Sequence, residues 1–372
     1  MSALQRSAMA RVAQARAPWA FSESEVEEEE DDELGDLPPV RIPGSTKSRT
    51  TTDFSPISAS TFLSQAVQVA VPESGLDFRV YYTPSTANGP QGTVLVCHHG
   101  AGYSGLSFAC FAQEVTRMSN GELGMLIIDA RGHGKTTPLD PSDPNADMLD
   151  LTVLARDFVN LISTLFPNPA EAPSLILLGH SMGGTAVVHA CPFLLENKYR
   201  ISGVAVLDVV EAMEALPHMH KLLDSRPDGF ASQEAAIEWH VATNTIRNVA
   251  SARVSVPSLV VPAQPGETSA GYPWKWRTPL GSTSPYWPSW FSGLSEKFLA
   301  ARTARLLVLA GTDRLDKTLM IGQMQGKFQM EVVPGVGHML HEDNPERLAE
   351  IIVEFWKRNE RVVAGVKRVG DA

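Results

Sequence analysis

Short, wholly apolar runs alternate with amphipathic stretches along most of the chain. TVLVCH (93–98), MLIID (125–129), SLILLG (174–179), VAVLD (204–208) and RLLVLA (305–310) lack the alternate polar positions of a half-exposed strand. That pattern predicts strands buried on both faces. FRVYYT (78–83) and FQMEVV (328–333) read as further strands. Between them, Ser107–Ser119, MLDLTVLARDFVNLISTLF (148–166), SMGGTAVVHAC (181–191) and NPERLAEIIVEFWKRN (344–359) read as helices, most clearly where apolar residues fall three and four apart. The alternation predicts an α/β architecture, a mostly parallel central sheet covered by helices on both faces.

The rhythm breaks between about 212 and 298. EAMEALPHMHKLLDS (211–225) and SQEAAIEWHVATNTIRN (232–248) read as helices, and VSVPSLVVPAQPGETSAGYP (254–273) follows, rich in Pro, Gly and Ser. An insertion of this kind predicts a helical and irregular cap above the sheet, where substrate-recognising segments belong. Residues 1–52 carry no periodic pattern. Ten Glu and Asp lie between Glu23 and Asp36, and such a block repels itself and buries little, so a disordered acidic tail is expected there. The remaining residues, 53–372, form the predicted folded domain.

Charge and cysteine content narrow the setting. A formal net charge of −11 disfavours nucleic acid and acidic membrane surfaces as partners. No apolar run reaches the ~20 residues that a membrane span needs. The three cysteines (Cys97, Cys110 and Cys191) form no CxxC pair, which fits a reducing compartment, the cytoplasm or nucleus. The basic, alanine-rich start (MSALQRSAMARVAQARAPWAF) also suits a mitochondrial presequence, but the acidic tract directly after it does not. A monomer is the default expectation.

The chemistry centres on GHSMG (179–183), between an apolar strand and a helix. This is the G-x-S-x-G nucleophile elbow, in which a serine sits on a strained corner and small residues relieve crowding on either side. Ser181 is the candidate nucleophile of an α/β-hydrolase fold. His338, after the last strand and before the final helix, holds the place of the general base in a Ser…acid…His order. His341 is a rival three residues on. Two strand ends offer the acid, Asp208 in VAVLDVVE and Asp313 in VLAGTDRLD, and position alone favours Asp313. The oxyanion hole needs two backbone N–H groups. Met182 supplies one, and Ala101, in the loop HHGAGYSG, supplies the other. Asp129 in DARGHG reads as a loop brace. No metal-ligand spacing or phosphate-binding loop is present, so no cofactor or metal is expected.

Four of the seven tryptophans fall within 271–291, in GYPWKWRTPL and SPYWPSWF. Trp274, Trp276, Arg277, Trp287 and Trp290 either pack the cap onto the main domain or form a partner-docking surface, a use for which Trp and Arg are favoured.

Longer segments carry a resemblance. HHGAGYSGLSF, IIDARGHGKT, LLGHSMGGTAVVHA, LDVVEAMEAL, GYPWKWRTPL, YWPSWFSGLSEKFL and IGQMQGKFQMEVVPGVGHMLHEDNPERLAE together resemble the protein phosphatase methylesterase family, over most of the chain from about 53 to 355. The resemblance implies removal of the methyl ester from the C-terminal leucine of the protein phosphatase 2A catalytic subunit, through contact with its tail and active-site region. It also implies that the acid is Asp208, with Asp313 second. HHGAG stands where the family carries HGGG; Ala101 keeps its N–H. Two other functions remain open at this point. One is a small-molecule carboxylesterase. The other is a phosphatase-binding inhibitor or scaffold that acts without catalysis.

Overall fold

The structure is a computed structural model, which describes residues 52–87, 92–209, 223, 226–311 and 315–360. The expected acidic tail, the helix expected over 211–225 and Asp313 lie outside the described residues. The unit described below is Thr52–Ala372.

Eight strands form the main sheet: β1 (Gln65–Val71), β2 (Leu76–Thr83), β3 (Thr93–His98), β4 (Leu123–Ile128), β6 (Ser174–His180), β7 (Ile201–Leu207), β11 (Ala304–Leu309) and β12 (Gln329–Val332). A two-residue strand, β5 (Thr137–Pro138), pairs with β2 at its margin. The order is β1-β2-β4-β3-β6-β7-β11-β12, with β4 through β12 parallel and β1 and β2 antiparallel. β3 and β4 are buried at every position, and β6 at all but its first residue. That double-sided burial is why their sequences carry no alternation. The apolar pattern gives no sign of β1, because QAVQVAV is exposed at five of its seven positions and packs little.

Helix α1 (Ala109–Met118) follows β3, α2 (Leu151–Leu165) follows β4 and β5, and α3 (Met182–Glu196) follows β6. Two clusters of core residues separate the two faces of the sheet. Phe158, Leu161 and Val187 belong to one, and Phe111, Val115, Ile352 and Phe355 to the other.

The segment between β7 and β11 has two parts with different physics. The first holds α4 (Gln233–Ala242), α5 (Val249–Ser255) and a three-stranded sheet, β8 (Gly229–Phe230), β10 (Trp274–Trp276) and β9 (Val260–Pro262). It has its own small core of Phe230, Ile237, Ile246, Val256 and Trp276. The second part holds α6 (Leu280–Thr283), α7 (Trp287–Phe291) and α8 (Leu294–Ala300). Trp287, Trp290, Phe291, Leu294 and Phe298 join the main core. The chain then runs through α9 (Lys317–Met324), α10 (Leu340–Asp343) and the closing α11 (Pro345–Glu360).

Candidate active site

β6 passes directly into α3, and Ser181 is the corner. Its backbone sits at φ 51° and ψ −120°, a region that costs a side-chain-bearing residue about 1–3 kcal/mol. The corner is held because the Ser181 N–H donates to Leu207 O at 3.1 Å and its carbonyl accepts the Gly184 N–H at 2.8 Å. It also forces strand and helix together. A Cβ on Gly179 would stand 2.2 Å from Gly183 O, and one on Gly183 would stand 2.2 Å from His98 O. The two glycines of GHSMG are therefore a packing requirement.

On the adjacent strand, Asp208 is the first residue past β7, with a strained φ of 46°. Its N–H donates to Val308 O at 2.8 Å, and its Oδ1 accepts the Ala310 N–H at 2.9 Å. Its Oδ2 lies 2.8 Å from His338 Nδ1. The carboxylate is 5% exposed and the imidazole 46%, so a buried anion orients a ring that substrate can reach. With Nδ1–H bound to the carboxylate, Nε2 carries the lone pair. Among the described residues no hydrogen bond joins Ser181 Oγ to His338, a looseness common in ligand-free hydrolase sites.

The His338 loop is fixed from behind. His180, inside GHSMG, donates Nε2–H to His338 O at 2.8 Å. Asp343 accepts the Gly337 N–H and the Arg247 N–H, each at 2.7 Å. Burial holds His180 well below the usual histidine range, so it stays neutral.

Ala101 and Met182 present backbone N–H groups that have no acceptor among the described residues. Gly100 brings the Ala101 peptide close to Ser181, since a Cβ there would meet Ser181 Cβ at 3.3 Å and His180 Nδ1 at 2.7 Å. Among the described residues no cluster of three or more His, Cys, Asp or Glu stands ready for a metal. No helix there is long and apolar enough to cross a membrane.

Comparison with known proteins gives this geometry its context. The alpha/beta hydrolase family profile matches residues 95–351. The protein phosphatase methylesterase 1 of Cryptococcus neoformans is 50% identical over 390 aligned positions, covering 95% of this chain and 91% of that protein. The chain belongs to the protein phosphatase methylesterase 1 family. The Schizosaccharomyces pombe protein of that name is 45% identical over 74% of this chain and 77% of its own length. Among solved structures, E-2-(acetamidomethylene)succinate hydrolase aligns with a TM-score of 0.61 at 19% identity, covering 79% of this chain and 99% of that one. A likeness at that identity concerns the α/β-hydrolase fold alone.

The tryptophan surface expected from the sequence is corrected in part. Trp287 and Trp290 are 1% and 2% exposed. Their indole N–H groups donate internally, to Thr283 Oγ1 at 2.9 Å and Leu149 O at 2.8 Å. Trp276 is also buried, donates to Pro227 O at 2.7 Å, and lies under the Arg226 guanidinium at 3.9 Å. These three cannot dock a partner, because their apolar area is already spent on cap packing. Trp274 and Arg277 are half-buried and line a groove of about 450 Å³ with Leu106, Lys135 and Val260. His341, the rival base, is fully buried against Phe108 with ring centroids 4.5 Å apart, and neither ring nitrogen is bonded.

Asp129 is a brace. Its carboxylate accepts the Gly105 N–H at 2.7 Å and the Lys135 N–H at 2.8 Å. His180 and Asp343 were not legible as site residues. The first was hidden by the elbow motif around it, and the second by lying in a helix past the base.

Proposed function

We propose that this chain is a serine carboxylesterase that hydrolyses the C-terminal leucine methyl ester of the protein phosphatase 2A catalytic subunit. The observation that carries the reading is the Asp208–His338 pair beside the strained Ser181, in a chain whose relatives are named protein phosphatase methylesterase 1.

His338 Nε2 takes the Ser181 hydroxyl proton as Oγ attacks the ester carbonyl. Asp208 stabilises the imidazolium and holds its orientation. The N–H groups of Ala101 and Met182 receive the developing oxyanion. The tetrahedral intermediate collapses, and His338 returns its proton to the departing methoxide, which leaves as methanol. Water, deprotonated by His338, then attacks the acyl-enzyme and releases the free carboxylate with Ser181 restored.

Methanol offers little to recognise, so selectivity rests on the protein partner. One exposed apolar surface supports such a contact. On α9, Met320, Ile321 and Met324 are 46%, 45% and 85% exposed, and methionine-bearing surfaces suit protein docking. Within the cap, Trp274 and Arg277 are half-buried and partly open to a partner. The chain acts as a monomer in the cytoplasm and nucleus, which fractionation and sedimentation would test.

The deciding experiment incubates the protein and its Ser181→Ala variant with methylated phosphatase and, separately, with a short peptide ending in leucine methyl ester. Methanol release from the phosphatase by wild type alone is the expected result. Release by the variant would sink the mechanism.

A further inference from the structure

Two buried histidines outside the triad bind the oxyanion loop to the loop after β4. His133 Nε2 accepts the Gly102 N–H at 2.9 Å, and its Nδ1–H donates to Arg131 O at 2.7 Å. His99 Nε2 accepts the Ala130 N–H at 2.9 Å, and its Nδ1–H donates to Gly100 O at 2.7 Å. The exchange is reciprocal: each loop lends a histidine whose Nε2 accepts a backbone N–H of the other. The rings are 5.1 Å apart and fully buried. Acceptance at Nε2 requires both rings to be neutral Nδ1–H tautomers. Burial supplies that neutrality, pulling His133 down to about 4 and His99 well below its ordinary value.

The bonded atoms belong to the two peptide planes flanking Ala101. Gly100 C=O and Ala101 N–H are one peptide unit, and in a trans peptide they point in opposite directions. His99 therefore fixes the direction of the Ala101 N–H by holding the carbonyl behind it. The Tyr103 N–H, donating to the same Gly100 O at 3.3 Å, closes the turn. His133 fixes the next plane through the Gly102 N–H. A hydrogen bond to the carbonyl also polarises the unit and strengthens its N–H as a donor.

We propose that His99 and His133 are positioning residues of the oxyanion hole, aiming the Ala101 N–H at the reacting carbonyl. The inference rests on the esterase reading above.

Two measurements on the full-length protein test it. Side-chain ¹⁵N shifts of wild-type histidines, assigned with His99→Asn and His133→Gln, report tautomers. Neutral Nδ1–H at both residues between pH 6 and 8 is expected; an Nε2–H tautomer or protonation at either overturns the proposal. Kinetics on a short leucine methyl ester peptide give the second readout. His133→Leu should lower kcat about 10²-fold with KM nearly constant, because a misaimed donor acts on the transition state. His133→Gln, whose amide oxygen can take the Gly102 N–H, should restore kcat to within about tenfold of wild type. Wild-type kcat in His133→Leu, or no rescue by Gln, overturns the proposal. An active Ser181→Ala would instead defeat the esterase reading. An inactive Ser181→Ala beside a fully active His133→Leu defeats the clamp alone. Should His133→Leu fail to fold, the wild-type tautomers decide.

Discussion

Asp208 and His338 are 130 residues apart in sequence, yet their side chains meet at 2.8 Å, Oδ2 against Nδ1. The meeting depends on the parallel pairing of β7 with β6 and β11, which lines up the strand ends that carry Ser181 and Asp208. Replacing the carboxylate by an amide tests it. Asp208→Asn keeps the Ala310 contact but presents His338 with the wrong partner. kcat for ester hydrolysis should fall roughly 10³–10⁴-fold, with the melting temperature almost unchanged.

Ser181→Ala removes the proposed nucleophile and leaves the corner intact. Demethylation should vanish while circular dichroism and thermal unfolding stay close to wild type. Since the corner costs strain at φ 51°, Ser181→Gly should be equally inactive and slightly more stable, by about 1 kcal/mol. A destabilised glycine variant would contradict the strain argument.

A buried tryptophan and an exposed methionine should separate stability from binding. Trp290→Ala empties a fully buried site and breaks the bond to Leu149 O, costing about 3–5 kcal/mol and lowering the melting temperature by roughly 10 °C. Met324→Gln on α9 changes an 85% exposed side chain. It should leave melting and short-peptide hydrolysis unchanged while weakening association with the phosphatase, as read by surface plasmon resonance. Unaltered phosphatase binding would remove α9 from the docking surface.

Glu342 gives a pH prediction of definite sign. Glu342 is fully buried, and burial pushes it up to about 8. The folded state therefore holds a proton that the unfolded chain releases near the ordinary glutamate value. Its contribution to stability is complete below that value and is lost as pH rises toward about 8. Glu342→Gln cannot ionise, so its melting temperature relative to wild type should climb between pH 5 and pH 8. A constant difference across that range would show Glu342 already ionised in the folded protein.

The strands around the site were legible because β3, β4 and β6 are buried on both faces, which writes itself into the sequence as unbroken apolar runs. Ser181 was legible because a strained corner demands glycine at two fixed offsets. His338 followed from chain order. Other features left no local mark. An exposed strand such as β1 needs little hydrophobicity. The tryptophans of α7 look the same in sequence whether they face solvent or the core.

By itself, then, the sequence determined the α/β architecture, through a periodicity that burial imposes, and marked Ser181 and His338 as candidate nucleophile and base, the first by a local glycine pattern and the second by chain order. Position along the chain left Asp208 and Asp313 both open as the acid, with Asp313 ahead, and resemblance alone favoured Asp208. Only the tertiary structure brought the Asp208 carboxylate to the imidazole, because that choice depends on the register of three parallel strands. It also decided that His99 and His133 grip one another's loops, for their partners are backbone atoms 31 residues away. A hydrogen bond from a peptide N–H leaves no residue-type signal at the position that donates it.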